Sequence, residues 1–240
     1  MGYHSNMNKD LIQSNITKVL EQVSTSAEKY GRSKEEILLL AVSKTQPLEA
    51  VKAAYACGLR DFGENYLQEA LEKIEGSEGL DIRWHFIGPL QANKTRQVAR
   101  HFDWVHSIDR SKLLLRLNEQ RPLDRGPLQV CIQVNISGEE SKAGIDPAEL
   151  PELLAEAAAL PNLRLRGLMA IPAPATDFGA QKNACDALAR LFHSHRESYP
   201  AMDTLSIGMS ADMQAAIAAG SNLLRIGTAI FGPRTQLRRG

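Results

Sequence analysis

Eight short runs of β-forming residues recur between residues 37 and 226, each separated from the next by a glycine or polar cluster and a stretch with helical spacing. The runs occupy 37–43, 59–62, 82–87, 104–108, 128–134, 163–170, 204–207 and 223–226. The helix-like stretches between them cover 47–57, 65–74, 93–101, 112–120, 147–160, 177–199 and 211–219. Several runs are apolar on both parities, as strands of a parallel sheet buried on two faces must be. Such alternation builds βαβ units. Eight units either close into a barrel or lie flat. No G-x-G-x-x-G follows the first run, and a flat eight-stranded sheet would be unusually wide for 240 residues. The expected fold class is therefore α/β, a (β/α)8 TIM barrel, with an open doubly wound sheet as the alternative.

Ahead of the first strand, Leu11, Ile12, Asn15, Ile16, Val19, Leu20 and Val23 fall on one helical stripe, which predicts an extra N-terminal helix. Residues 1–7 are polar and are read as a flexible tail or cloning remnant, leaving 8–240 as a single domain. No Gly-, Ser- or Pro-rich linker divides it.

Charge narrows the function. Lys plus Arg and Asp plus Glu both number 28, so there is no field to hold a polyanion, and no nucleic acid is expected as partner. The longest apolar run, 37–42, is six residues against the ~18 that suggest a membrane span, so no membrane partner is expected either. The N-terminus has no apolar segment behind a basic start, which predicts a cytoplasmic protein. Cys57, Cys131 and Cys185 are odd in number and lack C-x-x-C spacing, as reduced thiols would be. His193 and His195 are two apart in a helical stretch and diverge, so no metal is assigned.

A barrel keeps its chemistry at the C-terminal ends of its strands. The first strand ends at Lys44. A lone strand-end lysine simply reaches for water, but one desolvated enough to be neutral part of the time can condense with an aldehyde. The seventh strand leaves through Ser206-Ile207-Gly208-Met209-Ser210, which makes Ser210 the expected N-cap of the helix 211–219. The eighth leaves through Arg225-Ile226-Gly227-Thr228. Loops after strands seven and eight are the usual phosphate seat of this fold. Asp212 would repel an anion there if it turned inward. Arg225 and Gly227 share a strand parity, and an inward arginine is either a structural ion-pair partner or a donor to a ligand. Amine, anion cup and inward arginine together fit pyridoxal 5′-phosphate: Lys44 for the aldehyde, Ser210, Gly227 and Thr228 for the phosphate, Arg225 for the ring nitrogen.

Six motifs in order then carry a resemblance: Ala41-Val42-Ser43-Lys44-Thr45, Phe62-Gly63-Glu64-Asn65-Tyr66, Trp84-His85-Phe86-Ile87-Gly88-Pro89, Gly167-Leu168-Met169-Ala170-Ile171-Pro172, Ser206-Ile207-Gly208-Met209-Ser210-Ala211-Asp212, and Arg225-Ile226-Gly227-Thr228. The chain resembles the pyridoxal phosphate homeostasis proteins of the YggS type. That resemblance implies a barrel like the alanine racemase N-terminal domain, with pyridoxal 5′-phosphate as a covalent aldimine on Lys44. It also implies Asn65, His85 and Met169 as further ring neighbours. The implied function is a carrier or buffer of the cofactor in vitamin B6 and amino-acid and keto-acid homeostasis, without catalytic turnover. PLP-dependent apoenzymes are the implied recipients, and a monomer is expected. Lys142 is a candidate for a second, transient contact, weighed against an ordinary solvated loop lysine beside Glu139 and Glu140.

Two enzymatic readings stand beside the carrier. One is a slow single-base racemase or lyase using Lys44. The other is a Schiff-base aldolase on the same fold. An arginine facing the pyridine nitrogen disfavours its protonation and weakens the ring as an electron sink. The resemblance implies that a racemase's second base would come from a separate C-terminal domain, which is not expected here, and this favours the carrier.

Overall fold

A computed structural model describes residues 2–138 and 143–233. The first helix, α1 (Gly2–Lys29), takes in most of the expected tail. After it come β1 (Leu38–Val42), α2 (Leu48–Ala56), β2 (Asp61–Glu64), α3 (Leu67–Gly76), β3 (Arg83–Phe86), α4 (Thr95–His101), β4 (Trp104–Ile108) and α5 (Ser111–Gln120). The second half continues with β5 (Leu128–Gln133), α6 (Leu150–Ala159), β6 (Leu163–Met169), α7 (Phe178–Arg196), β7 (Thr204–Ser206), α8 (Met213–Ala218), β8 (Leu223–Ile226) and the short α9 (Thr228–Phe231).

All eight strands form one closed barrel in sequence order. β1 pairs in parallel with β8 from Leu38↔Leu223 to Ala41↔Ile226, and that seam excludes the open sheet. Closure leaves no strand edge exposed. Gly167 shows how tightly neighbours approach: a Cβ there would fall 1.7 Å from the Thr204 carbonyl oxygen of β7.

α1 packs against α2, α8 and α9. It buries Ile12, Ile16, Val19 and Val23, whereas Leu11 and Leu20, which the stripe included, are exposed. Asn15 Nδ2 donates to the Ile230 carbonyl at 3.0 Å, tying this helix to the end of the barrel.

Two boundaries move for identifiable reasons. β2 runs Asp61–Glu64 and not 59–62, because Gly63 and Glu64 pair with His85 and Phe86 of β3, and Glu64 can lie in a strand once its carboxylate has buried partners. α8 starts at Met213, because the Asp212 carboxylate turns back to accept the Met209 amide at 2.7 Å and holds that segment as a turn.

Strand alternation sends Ala41, Phe62, Phe86, Val105, Val130, Leu168, Leu205 and Leu224 outward into the main apolar layer under the helices. The opposite parity fills the barrel. There, two small apolar groups form, Leu40, Val42, Ile87 and Leu223 in one and Trp104, Cys131 and Met169 in the other. Barrel interiors are ordinarily filled by branched apolar side chains. This one also buries Asp61, His85, His106, Ser206 and Arg225. All three cysteines are free, and burial pushes the Cys131 and Cys185 thiols up to about 12.

Candidate functional site

At the C-terminal ends of the strands lies a cavity of about 330 Å³ whose wall includes Lys44, Asn65, Ser210, Arg225, Gly227 and Thr228. Six of the eight residues singled out in the sequence therefore meet in one place.

Lys44 is held by its neighbours. Thr45, directly after it, has φ 62°, a left-handed conformation that costs a β-branched residue roughly 1–2 kcal/mol. The Thr45 amide donates to Glu69 Oε1 at 2.6 Å. On the other side, Ser43 Oγ donates to Glu64 Oε1 at 2.6 Å. Lys73 Nζ joins both carboxylates and the chain itself, donating to Glu64 Oε1 at 2.7 Å, Glu69 Oε1 at 2.5 Å and the Ser43 carbonyl at 2.7 Å. A buried ammonium thus fastens both residues flanking Lys44. Burial pushes the Glu64 carboxyl up, against the opposing pull of Lys73.

Arg225, on β8, is 4% exposed. Its Nη1 donates to the Ser206 carbonyl at 2.7 Å and to Ser206 Oγ at 2.8 Å, and its Nη2 donates to the Ala170 carbonyl at 2.9 Å. A guanidinium has five N–H donors, so two remain on a side chain that lines the cavity. No carboxylate lies within ion-pair distance of it among the described residues. Desolvation lowers its pKa to about 10, which leaves it charged at neutral pH.

The loops after β7 and β8 supply backbone donors. The amides of Ser210, Ala211 and Thr228 have no acceptor among the described residues. A Cβ on Gly227 would sit 3.3 Å from the Val42 carbonyl, so a larger residue would crowd β1 as well as the cavity wall. The expectation that Ser210 is a helix N-cap is corrected: that place belongs to Asp212, and Ser210 sits in the preceding turn. Because Asp212 is engaged with the Met209 amide, its carboxylate is directed to the protein's own backbone.

Asn65 reaches the wall from the end of β2, and its buried Oδ1 has no hydrogen-bond partner among the described residues. Gly88 permits this placement, since a Cβ there would be 2.4 Å from the Asn65 carbonyl. His85 and Met169 do not line the cavity: both are fully buried inside the barrel, His85 bonded to His106 and Asp61 and Met169 packed with Trp104 and Cys131. Their strands do end at the site, but these positions fall below its wall. Lys142 lies outside the described residues.

The sequence reading passed over Gln46, Ile87, Ile171 and Met209, which also line the cavity. Gln46 follows Lys44 by two residues, and Ile171 and Met209 stand in the loops after β6 and β7, so loop membership was the available signal. Glu69 and Lys73 are spaced i,i+4 and look like an ordinary surface pair on a helix, yet Lys73 is buried. No group of three or more potential metal ligands occurs among the described residues.

A parallel eight-stranded barrel with a lysine after its first strand and, among the described residues, unengaged backbone amides after its last two defines a class. Residues 13–235 match the family model described as alanine racemase, N-terminal domain. Within that class, relatives called pyridoxal phosphate homeostasis protein are 55% identical in Vibrio cholerae, over 95% of this chain and 98% of that protein, and 55% identical in Escherichia coli, over 93% and 97%. PipY of Synechococcus elongatus, solved with PLP bound, superposes with TM-score 0.78 at 33% identity, covering 92% of this chain and 100% of that one. The chain belongs to the family of pyridoxal phosphate homeostasis proteins.

Proposed function

We propose that this protein binds pyridoxal 5′-phosphate in the cavity, covalently through Lys44, and carries or buffers it in the cytoplasm for homeostasis of the cofactor. Arg225 is the observation that carries the reading. A buried cation with two donors uncommitted and no carboxylate within ion-pair distance among the described residues calls for an electron-rich acceptor, and the pyridine nitrogen of PLP is one. The free amides of Ser210, Ala211 and Thr228 supply neutral donors for a dianion. When bound, PLP contributes an aldehyde that condenses with amines and a ring that withdraws electrons. The protein's part is to hold Lys44 at the mouth, orient Arg225, and line the rest with apolar side chains.

The lining also supports a carrier over an enzyme. Among the described lining residues, Lys44 and Arg225 are the titratable ones, so a second acid or base for proton transfer is not supplied. PLP-dependent apoenzymes as recipients and a monomeric state belong to the same reading.

Purified protein incubated with PLP should absorb in the visible, and borohydride reduction followed by peptide mapping should place a pyridoxyl mass on Lys44. Lys44→Ala should lose both. Retention of the parent spectrum by Lys44→Ala would refute the assignment, and rapid Cα deuterium exchange of an added amino acid would replace the carrier with the racemase or lyase.

A further inference from the structure

The polar groups inside the barrel form one continuous file. Arg83 clasps Asp61 with two bonds, Nε to Oδ1 at 2.8 Å and Nη2 to Oδ2 at 2.6 Å. Asp61 Oδ1 lies 2.9 Å from His85 Nε2, His85 Nδ1 lies 2.9 Å from His106 Nε2, and His106 Nδ1 lies 2.9 Å from Ser206 Oγ. Ser206 Oγ accepts from Arg225. Asp61 and Arg83 are the first residues of β2 and β3, at the end of the barrel opposite the cavity. The file thus runs from a half-exposed arginine at one end of the barrel to the cavity-lining arginine at the other.

Its polarity is dictated by its ends. Asp61 is held ionised: burial raises its carboxyl, but bonds from His85 and Arg83 outweigh that and lower it. It must therefore accept, and His85 Nε2 carries the hydrogen. Burial keeps both imidazoles neutral, with Arg225 and His85 adding to the effect at His106. A neutral ring has one donor and one acceptor nitrogen, so His85 Nδ1 accepts from His106 Nε2–H. By the same count His106 Nδ1 accepts from the Ser206 hydroxyl, which leaves Ser206 Oγ to accept from Arg225. Every hydrogen in the file points toward Asp61.

We propose that Asp61, His85, His106 and Ser206 are positioning residues that act as the remote counter-charge of Arg225, fixing its orientation and its cationic character toward the ring of the cofactor. This rests on the PLP reading above. A buried guanidinium without an adjacent carboxylate is costly, and a polarised chain of hydrogen bonds lets a distant carboxylate share that cost. The file also couples the far end of the barrel to the cavity without any contact of Arg83 with the ligand.

Two variants and one spectroscopic measurement test this. Asp61→Asn is isosteric, removes the charge and leaves one acceptor oxygen, which can still take the His85 hydrogen while the amide NH2 replaces the oxygen facing Arg83. Arg83→Gln alters the half-exposed outer end. In Asp61→Asn, reduction should still place the pyridoxyl group on Lys44, the absorption maximum of bound PLP should move, and its dissociation constant should rise roughly tenfold, the scale of one charge-assisted hydrogen bond. Arg83→Gln should shift the maximum in the same direction by less. In the parent, 15N NMR of labelled histidines, with and without PLP, should show the Nε2–H tautomer for both His85 and His106. The proposal is overturned if folded Asp61→Asn matches the parent in spectrum and affinity, or if either ring carries its hydrogen on Nδ1. Should the parent bind no PLP, the binding assignment falls, while the tautomers still decide the file.

Discussion

Replacing Lys73 by methionine isolates the clamp around Lys44, because methionine keeps an unbranched side chain only one atom shorter while removing the charge and the donors. The Lys73 side chain is 5% exposed and bonds Glu64, which is fully buried, Glu69 and the Ser43 carbonyl. Without it, two carboxylates remain near each other, and Glu64 Oε2 already has no partner among the described residues. Breaking one side of a buried pair costs about 3–5 kcal/mol. The left-handed Thr45 is restrained through Glu69, so roughly 1–2 kcal/mol of backbone strain can relax and offset part of that loss. The expected net loss for Lys73→Met near pH 7 is about 2–4 kcal/mol, several kcal/mol being a large share of a domain's stability. Its pH dependence has a definite sign. Burial raises the Glu64 carboxyl in the folded state above its ordinary value of 4.5, and losing Lys73 raises it further. The folded variant then binds more protons than the unfolded chain between 4.5 and that raised value, so its stability falls as pH rises through this window. Urea unfolding followed by the fluorescence of buried Trp84 and Trp104 at a series of pH values measures this directly. Adding Glu64→Gln to Lys73→Met should recover more than about 1 kcal/mol, as coupled neighbours do. A loss below about 1 kcal/mol, or one unchanged between acid and neutral pH, would show that the clamp is not what holds this turn.

Gly167→Ala should fail to yield folded barrel by circular dichroism, because the new methyl would meet the Thr204 carbonyl at 1.7 Å in a seam that cannot open without breaking the sheet. Gly88→Ala should fold with reduced stability and weaker PLP retention, since it displaces the Asn65 backbone at the cavity wall; retention equal to the parent's in equilibrium dialysis would count against a role for Asn65. Asp61 has a lowered folded pKa, so its contribution to stability is present above the ordinary value of 3.8 and is lost as pH falls through the folded value. The stability gap between parent and Asp61→Asn should accordingly hold through neutral pH and shrink below about pH 4, as read by acid titration of the unfolding midpoint.

Much of the fold was legible because both periods are strong. Runs such as 104–108 and 223–226 coincide with β4 and β8. Legibility failed where polar residues occupy regular structure through partners far along the chain. Gly63 and Glu64 read as a loop until Lys73 and β3 account for them. Asp212 read as a helix residue until its carboxylate is seen holding the Met209 amide. At the site, strand ends pointed to Lys44, Arg225, Gly227 and Thr228, while His85 and Met169, on the right strands, lie too deep to line the cavity.

What the chain determines locally is the element order, the strand faces, and the side chains that each strand carries to its end, because these follow from periods of two and 3.6 residues. Which of them meet is decided only by closure. His106 and Ser206 are 100 positions apart and touch because strand tilt and register bring β4 and β7 across one interior. The same closure encloses the file from Asp61 to Arg225 away from water, where hydrogen-bond polarity and a buried charge acquire an energetic weight that no linear pattern of residues records.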